Sequence, residues 1–438
     1  IPEIFEDIDF SGGFKVEGAR LIGIGDVKDP VILTFKRNGK KFVTLSSNSF
    51  SISIDRIRSQ NSSVTIHYQQ DSIYHSGLRM NYTDKTRELS LIRDERGVRA
   101  DPFFNTFHQL DMFVEAAYWK MDDDVMDFDM IKGMNKRPAF FTSNNRYSLQ
   151  HFETLMGMDA QHPLSLLNKY TKETGSNMVH IIDYANFLRM PYEQVKLQLL
   201  SLAHEGFVIY DVDNDQVIVK DRTPFYLNAR TGRVDYDVIS FRSANTKLTN
   251  AELQLDSFDL RINGVQRIIL SDSQNLVIEP GNTGLASDEY IVVGKNRNFR
   301  FNGKITAGRF SFKSWGCTFD YNAFKLDMPQ IDSLWFWVEG KPLPTGGRER
   351  MQVQTALINL SGDLLIDHPS NKSGLKPYKE YPVFNSKKDS YAYYDQYFIE
   401  KGVYTRDRFY FRISPFVLQS LDNIKTEDIN FDGFLYSG

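Results

Sequence analysis

The side chains of this chain that could do chemistry fall into four small groups. Asp211-Val212-Asp213-Asn214-Asp215 has the carboxylate alternation that opens a calcium-binding loop. The pattern then fails, because Gln216 stands where the sharp turn needs glycine and Arg222 where a bidentate glutamate should sit. A polar turn without a metal is the expectation. Asp122, Asp123, Asp124, Asp127 and Asp129 form a second acidic group. Met126, Phe128 and Met130 alternate with the last two aspartates, so Asp127 and Asp129 are expected on the solvent side of an edge strand, where charge deters further pairing. Asp320, Asp327 and Asp332 lie among Trp315, Trp335 and Trp337. Paired carboxylates beside aromatic platforms suit glycoside hydrolysis, but nothing in the sequence sets their separation, and surface positions on strands and turns explain them more simply. The fourth group is Tyr391, Tyr393, Tyr394 and Tyr397, beside Lys387 and Lys388. Tyrosines bury large areas at low entropy cost, so these four are candidates for a partner surface. Packing of Tyr391 and Tyr393 into a core is the competing reading.

The remaining reactive residues form no pattern. The histidines at 67, 75, 108, 151, 162, 180, 204 and 368 include no pair at a helical metal-binding spacing. No nucleophile elbow, phosphate-binding glycine loop or dinucleotide fingerprint is present. A single cysteine, Cys317, excludes an intrachain disulfide framework and a cysteine-rich zinc site. No catalytic, cofactor or metal-ligating residue is therefore assigned, and no cofactor is expected.

The elements that must carry these groups are mostly strands. Phe50 to Ile54, Val64 to Tyr68 and Leu78 to Tyr82 alternate apolar and polar residues, as in a half-buried sheet. Turn signals such as Arg37-Asn38-Gly39 and Tyr82-Thr83-Asp84 separate them. Aromatic residues make up 13% of the chain, with 33 Phe and 22 Tyr, which also favours strands. The period changes between residues 147 and 228. Pro163 opens a helix that Gly175 stops, Asp183 is placed to cap a second, and Pro191 opens a third that ends at Gly206. Leu164, Leu167, Phe187, Val195, Leu199 and Phe207 are its expected core. Strands at 207–210 and 216–220 follow. Three helices and a hairpin in that order are the layout of a winged helix. The expected fold is mainly β, in short-strand sheets arranged as a sandwich or solenoid-like repeats, with a small winged-helix-like α+β insertion. The expected domains are 1–140, 147–228 and 229–438, the last continuing beyond this chain.

Two features bear on that continuation. The chain starts at Ile1 in place of methionine, and its last residues read as the opening of another strand unit. A faint repeat links the β regions: Gly13 and Gly18, Gly303 and Gly308, and Gly433 and Gly438 each stand five apart, with Phe10, Phe301 and Phe431 just before. Glycines at fixed strand positions suit bends or bulges, and three such matches are also within the reach of chance.

Charge argues against nucleic acid. The whole chain carries a net charge of −4. Between Ala160 and Arg222 six basic side chains face eight acidic ones. The polar stripe of the third helix is Gln194, Gln198, Ser201 and Glu205, with no arginine. Phosphate contacts supply most of the affinity for DNA, so this module lacks the driving force. Gln194 and Gln198 are read as partner-surface candidates instead. No stretch of eighteen apolar residues exists, so no transmembrane helix is expected.

Four segments are distinctive: Gln70 to Gly77, Arg267 to Gln274, Leu360 to Gly374, and Lys401 to Asp407. Together they resemble a family of long exported cell-envelope proteins of Bacteroidota that is uncharacterised, and the likeness runs through nearly the whole chain. The resemblance implies the periplasm or association with the outer membrane, and it brings no catalytic residues. The leading functional expectation is a non-enzymatic envelope scaffold, or a subunit of an outer-membrane assembly whose partners are other envelope proteins. The second is a carbohydrate-active enzyme or glycan-binding module on a β scaffold. The third is a β-groove lipid carrier, which needs strands apolar on a sheltered concave face.

Overall fold

The computed structural model describes residues 1–438 apart from 19, 27, 94–100, 132–136, 158–160, 212–213, 245–246, 282–288, 343–347, 353–356, 396–400, 402 and 426–428; for 338–342 and 348–352 it describes the backbone alone. The fold is mainly β, in large antiparallel sheets with one helical insertion. The chain clusters into two compact units. Ile1–Val234, Ser243–Arg261 and Gly294–Asn296 form the first, and Asp235–Arg242, Ile262–Val293 and Arg297–Gly438 form the second.

The first unit is organised by one long hairpin, Arg56–Tyr68 with Asp71–Thr83. Its alternation buries Ile57, Val64, Ile66, Ile73, Met80 and Tyr82. Register shifts between Ser59 and Val64 interrupt the ladder, which lets the strands bend and serve two sheets. One half pairs with Ser49–Ser53 and Glu88–Ile92. From there this sheet extends to Arg20–Ile24 and Gly13–Glu17 in one direction, and to Ala116–Lys120, Val125–Asp129 and Ala251–Gln254 in the other. The other half pairs with Lys40–Ser47 and Phe103–Asn105. This second sheet continues to Val31–Arg37 and Ile8–Ser11, and to Leu110–Phe113 and Ala139–Ser143. Aromatic rings join the two layers: Phe35 meets Tyr82 at 5.5 Å, Phe42 meets Trp119 at 4.9 Å, and Phe103 meets Phe128 at 5.6 Å. This is sandwich packing in which one hairpin belongs to both layers.

The acidic strand corrects an expectation. Val125–Asp129 is paired on both sides, with Ala116–Lys120 and with Ala251–Gln254, and is not an edge. Asp129 is buried, and its Oδ1 accepts from the backbone N–H of Met130 at 3.0 Å and of Asn250 at 3.3 Å. The covering strand arrives from more than a hundred residues downstream, so no local pattern announces it.

The insertion contains the helices Leu149–Met156, Pro163–Thr174, Ile181–Leu188, Tyr192–His204 and Arg222–Arg230, and a sheet of Met178–His180, Gln216–Val219 and Val208–Asp211. The first and last helices were not expected. Pro163 is the first helical residue and Gly175, at φ 68°, is the left-handed cap. Asp183 does not cap its helix. That helix starts two residues earlier, because the N–H of Ile181 is taken by the carbonyl of Asp215 at 3.2 Å. The inward face is consequently Ile181, Tyr184 and Ala185, and Phe187 is only half-buried. Leu164, Leu167, Val195, Leu199 and Phe207 are buried.

The second unit repeats the bent-strand device. Phe299–Ala307, Phe310–Asp320, Lys325–Pro342 and Leu357–Leu365 form successive antiparallel pairs, with register shifts at Phe301/Gly303, Lys313/Ser314 and Met328/Ile331. On one side of the shifts the sheet includes Tyr290–Val293, Val383–Ser386 and Val417–Leu418. On the other it runs from Ile268–Ser271 and Leu276–Pro280 through the long strands to Ser390–Tyr393, Phe409–Ile413 and Gly433–Ser437. Phe312 and Phe384 join the two layers at 4.9 Å.

Candidate functional site

The strands Ser390–Tyr393, Phe409–Ile413 and Gly433–Ser437 place tyrosines in one row. Tyr393 lies opposite Tyr410, and Tyr410 opposite Tyr436. Alternation turns Ser390 and Ala392 inward, where both are buried, and leaves Tyr391 and Tyr393 half-exposed on the outer face. The rings form a ladder: Tyr391 to Tyr393 at 6.0 Å, Tyr393 to Tyr410 at 6.0 Å, and Tyr410 stacked on Tyr436 at 4.5 Å. Charges frame the row. The Arg406 guanidinium sits 5.0 Å from the Tyr393 ring centre, a cation–π distance. Arg412 donates to Asp389 Oδ2 through Nε at 2.7 Å. Partial burial, with Tyr391 alongside, pushes the Tyr393 phenol above its ordinary range.

Of the expected partner-surface residues, Tyr391 and Tyr393 therefore share a face, and the structure adds Tyr410 and Tyr436 to it. The alternation of Phe409-Tyr410-Phe411-Arg412-Ile413 could have suggested Tyr410; only the register brings in Tyr436. Tyr394 turns to a different cluster, 5.4 Å from Phe409, whose other neighbour is Tyr404 at 4.5 Å. Tyr397 lies outside the described residues. Gln194 is exposed and Gln198 half-buried on the helix Tyr192–His204, which belongs to the first unit.

The aspartates near the tryptophans are each engaged locally. Asp320 accepts from the N–H of Ala323 at 2.9 Å and shapes a turn. Asp332 accepts from Trp315 Nε1 at 2.7 Å. Asp327 lies opposite Asp363, and Lys387 Nζ donates to both, at 2.9 and 2.7 Å. The hydrogen bond from that lysine holds the Asp327 carboxyl below the usual carboxylate range. In the 211–215 turn, Asp211 accepts from Asn214 Nδ2 at 2.6 Å and Gln216 Nε2 at 3.1 Å, and Asp215 accepts from Tyr192 Oη at 2.7 Å. Among the described residues no group of three or more His, Cys, Asp and Glu is placed to hold a metal ion. Cys317 is buried, and burial pushes its thiol up to about 12.

Two features of the first unit escaped sequence reasoning. The first is a cleft of about 210 Å³ between the long hairpin and the insertion's strand pair. Hydroxyls and amides line it, from Ser46, Asn48, Asn61, Ser63, Asn214 and Tyr74 among others. Burial, with Asp101 and Asp211 nearby, raises the Tyr74 phenol to about 12. The second is a buried ionic cluster. Arg222 donates to Asp111, and Lys220 lies 3.5 Å from the same carboxylate and 3.2 Å from the Phe104 ring centre. Desolvation brings the Lys220 ammonium down to about 8. The cluster ties the start of the helix Arg222–Arg230 to the strand Leu110–Phe113.

Among the described residues no helix is long and apolar enough to cross a membrane. No family model, curated protein or solved structure matches this chain.

Proposed function

We propose that this chain is a non-enzymatic scaffold of the cell envelope, in the periplasm or held at the outer membrane, that works by presenting sheet surfaces to partner proteins. The supporting observation is the outward tyrosine ladder Tyr391, Tyr393, Tyr410 and Tyr436, framed by Arg406 and Arg412. Aromatic and arginine side chains in this combination are those that dominate binding energy at protein interfaces. The ladder is the outer face of strands whose inward Ser390, Ala392 and Ile413 are buried, so its tyrosines are available without unfolding. The test replaces Tyr393 and Tyr410 together by Ser. Loss of co-purifying envelope proteins at an unchanged melting temperature is the expected result. Retention of those partners would remove the ladder from the interaction.

A second reading rests on the cleft in the first unit. Among the described residues its lining offers hydroxyls, amides and one carboxylate, Asp211, without lysine or arginine, which suits a neutral polyhydroxylated ligand such as a sugar residue. Calorimetric titration with neutral oligosaccharides tests it. Heats that vanish in Asp211→Ala support a glycan-binding module, and their absence from the unaltered protein removes it.

A further inference from the structure

The cleft of the first unit holds about 210 Å³. Sites that enclose a whole small molecule start at about 300 Å³. A single sugar ring fits such a space, and a longer ligand must continue outside it. The cleft's own chemistry favours a ligand that donates hydrogen bonds. The Ser76 hydroxyl, in the lining, donates to Oδ2 of Asp101 at 2.7 Å, and Asp101 is 1% exposed. With its proton committed, Ser76 offers lone pairs to whatever enters.

The sheet beside the cleft supplies the continuation. Tyr74, also in the lining, lies opposite Thr65, Thr65 opposite Thr44, and Thr44 opposite Thr34. Residues paired across strands share a face, so these four form one row. The adjacent row is Ser63, Ser46 and Ile32, of which the two serines line the cleft. Leu33, Val43, Leu45, Val64 and Ile66, at the intervening positions, are buried, and the three threonines are half-exposed on the outer face. From Tyr74 to Thr34 the row crosses three strand spacings, about 14 Å. It carries no charge. His67 Nε2 lies 2.9 Å from Thr44 Oγ1, and burial, with Lys41 nearby, lowers the His67 pKa, so the ring is neutral at pH 7. The next residue in the row is Asp9, opposite Thr34, and Lys36 already neutralises it at 2.8 Å.

We propose that this hydroxyl row extends the cleft into a binding face for a linear neutral glycan, with one sugar ring in the cleft and the following rings across Thr65, Thr44 and Thr34. This deepens the glycan reading of the cleft and rests on it. The sheet sets the hydroxyls at an even pitch, and a glycan chain repeats its own hydroxyls along its length. Each threonine both donates and accepts, as each sugar hydroxyl does. Ile32, in the adjacent row, is an apolar contact for the C–H face of a ring. An ionic polymer finds no unneutralised charge along the row, and a protein partner finds no aromatic or arginine anchor beyond Tyr74.

The test is calorimetric titration of the full chain with two oligosaccharide series, maltose to maltohexaose and cellobiose to cellohexaose. In one series the affinity is expected to rise by about tenfold or more from the disaccharide to the hexasaccharide, the sum of several added hydrogen bonds. Thr44→Val with Thr65→Val removes two hydroxyls and keeps strand-forming side chains of similar shape. It is expected to abolish that gain and to leave the disaccharide affinity unchanged. Thr44→Ser with Thr65→Ser restores the hydroxyls and is expected to restore the gain. Equal affinity at every length, or a gain that the valine variant keeps, overturns the inference and leaves the cleft as a site for one sugar. No heat from any oligosaccharide removes the glycan reading and this inference with it.

Discussion

Asp111 illustrates what a buried charge demands in this fold. It is 1% exposed, and its partners Arg222 and Lys220 both come from the far end of the insertion. Arg222→Ala leaves the carboxylate with one poorly aligned lysine and is expected to cost about 3–5 kcal/mol, measured by denaturant unfolding. Adding Asp111→Ala should cost less than the two single changes summed, because both act on one interaction. Asp127 behaves in the opposite sense. Desolvation, with Glu252 directly opposite and Asp129 nearby, raises its pKa above the ordinary value. The folded state therefore binds this proton more readily than the unfolded state. The penalty is complete at neutral pH and is relieved as pH falls through the raised pKa. Asp127→Asn is expected to raise the melting temperature at pH 7, and the gain should shrink on acidification. A gain that grows toward low pH would contradict the burial of this carboxylate. None of this was legible from residue type, since Asp127 and Asp129 read as solvent-facing until Ala251–Gln254 was found across from them.

At the scale of the element, the insertion's helices were readable where glycine and proline mark their ends. Pro163, Gly175 and Gly206 stand at or next to helix ends, because their backbone limits act locally. Ile181–Leu188 was misplaced because its first N–H is satisfied by the hairpin carbonyl of Asp215, a tertiary contact standing in for a side-chain cap. Leu199, fully buried on the helix Tyr192–His204, tests the packing. Leu199→Ala is expected to destabilise by about 2–5 kcal/mol, according to how far the site collapses. Hydrogen exchange should show the loss concentrated in the insertion.

For the whole molecule, net charge sets an expectation about nucleic acid. A chain at −4, whose helical insertion carries more acidic than basic residues, offers phosphates little. Titration with duplex DNA at low salt should show no micromolar binding, and binding that weakens steeply with added salt would overturn that view.

The sequence alone determined that strands dominate, that the helices interrupt them, and where many of the turns fall. These follow from periodicity and from the backbone limits of glycine and proline, which act within a few residues. Sequence also placed Tyr391 and Tyr393 on one side of a strand, but could not say which side faced the core. Tertiary structure decided that. Ser390 and Ala392 took the buried positions because the neighbouring strand Leu357–Leu365 sets the register, with Leu357 opposite Ala392. It likewise gathered Tyr410 and Tyr436 beside them, covered the hydroxyl face of the long hairpin with the insertion's strands, and withdrew Asp129 from solvent. Each of these depends on pairings between segments distant in the chain, and β pairing specifies its partner through the register of whole strands, which no short stretch of sequence records.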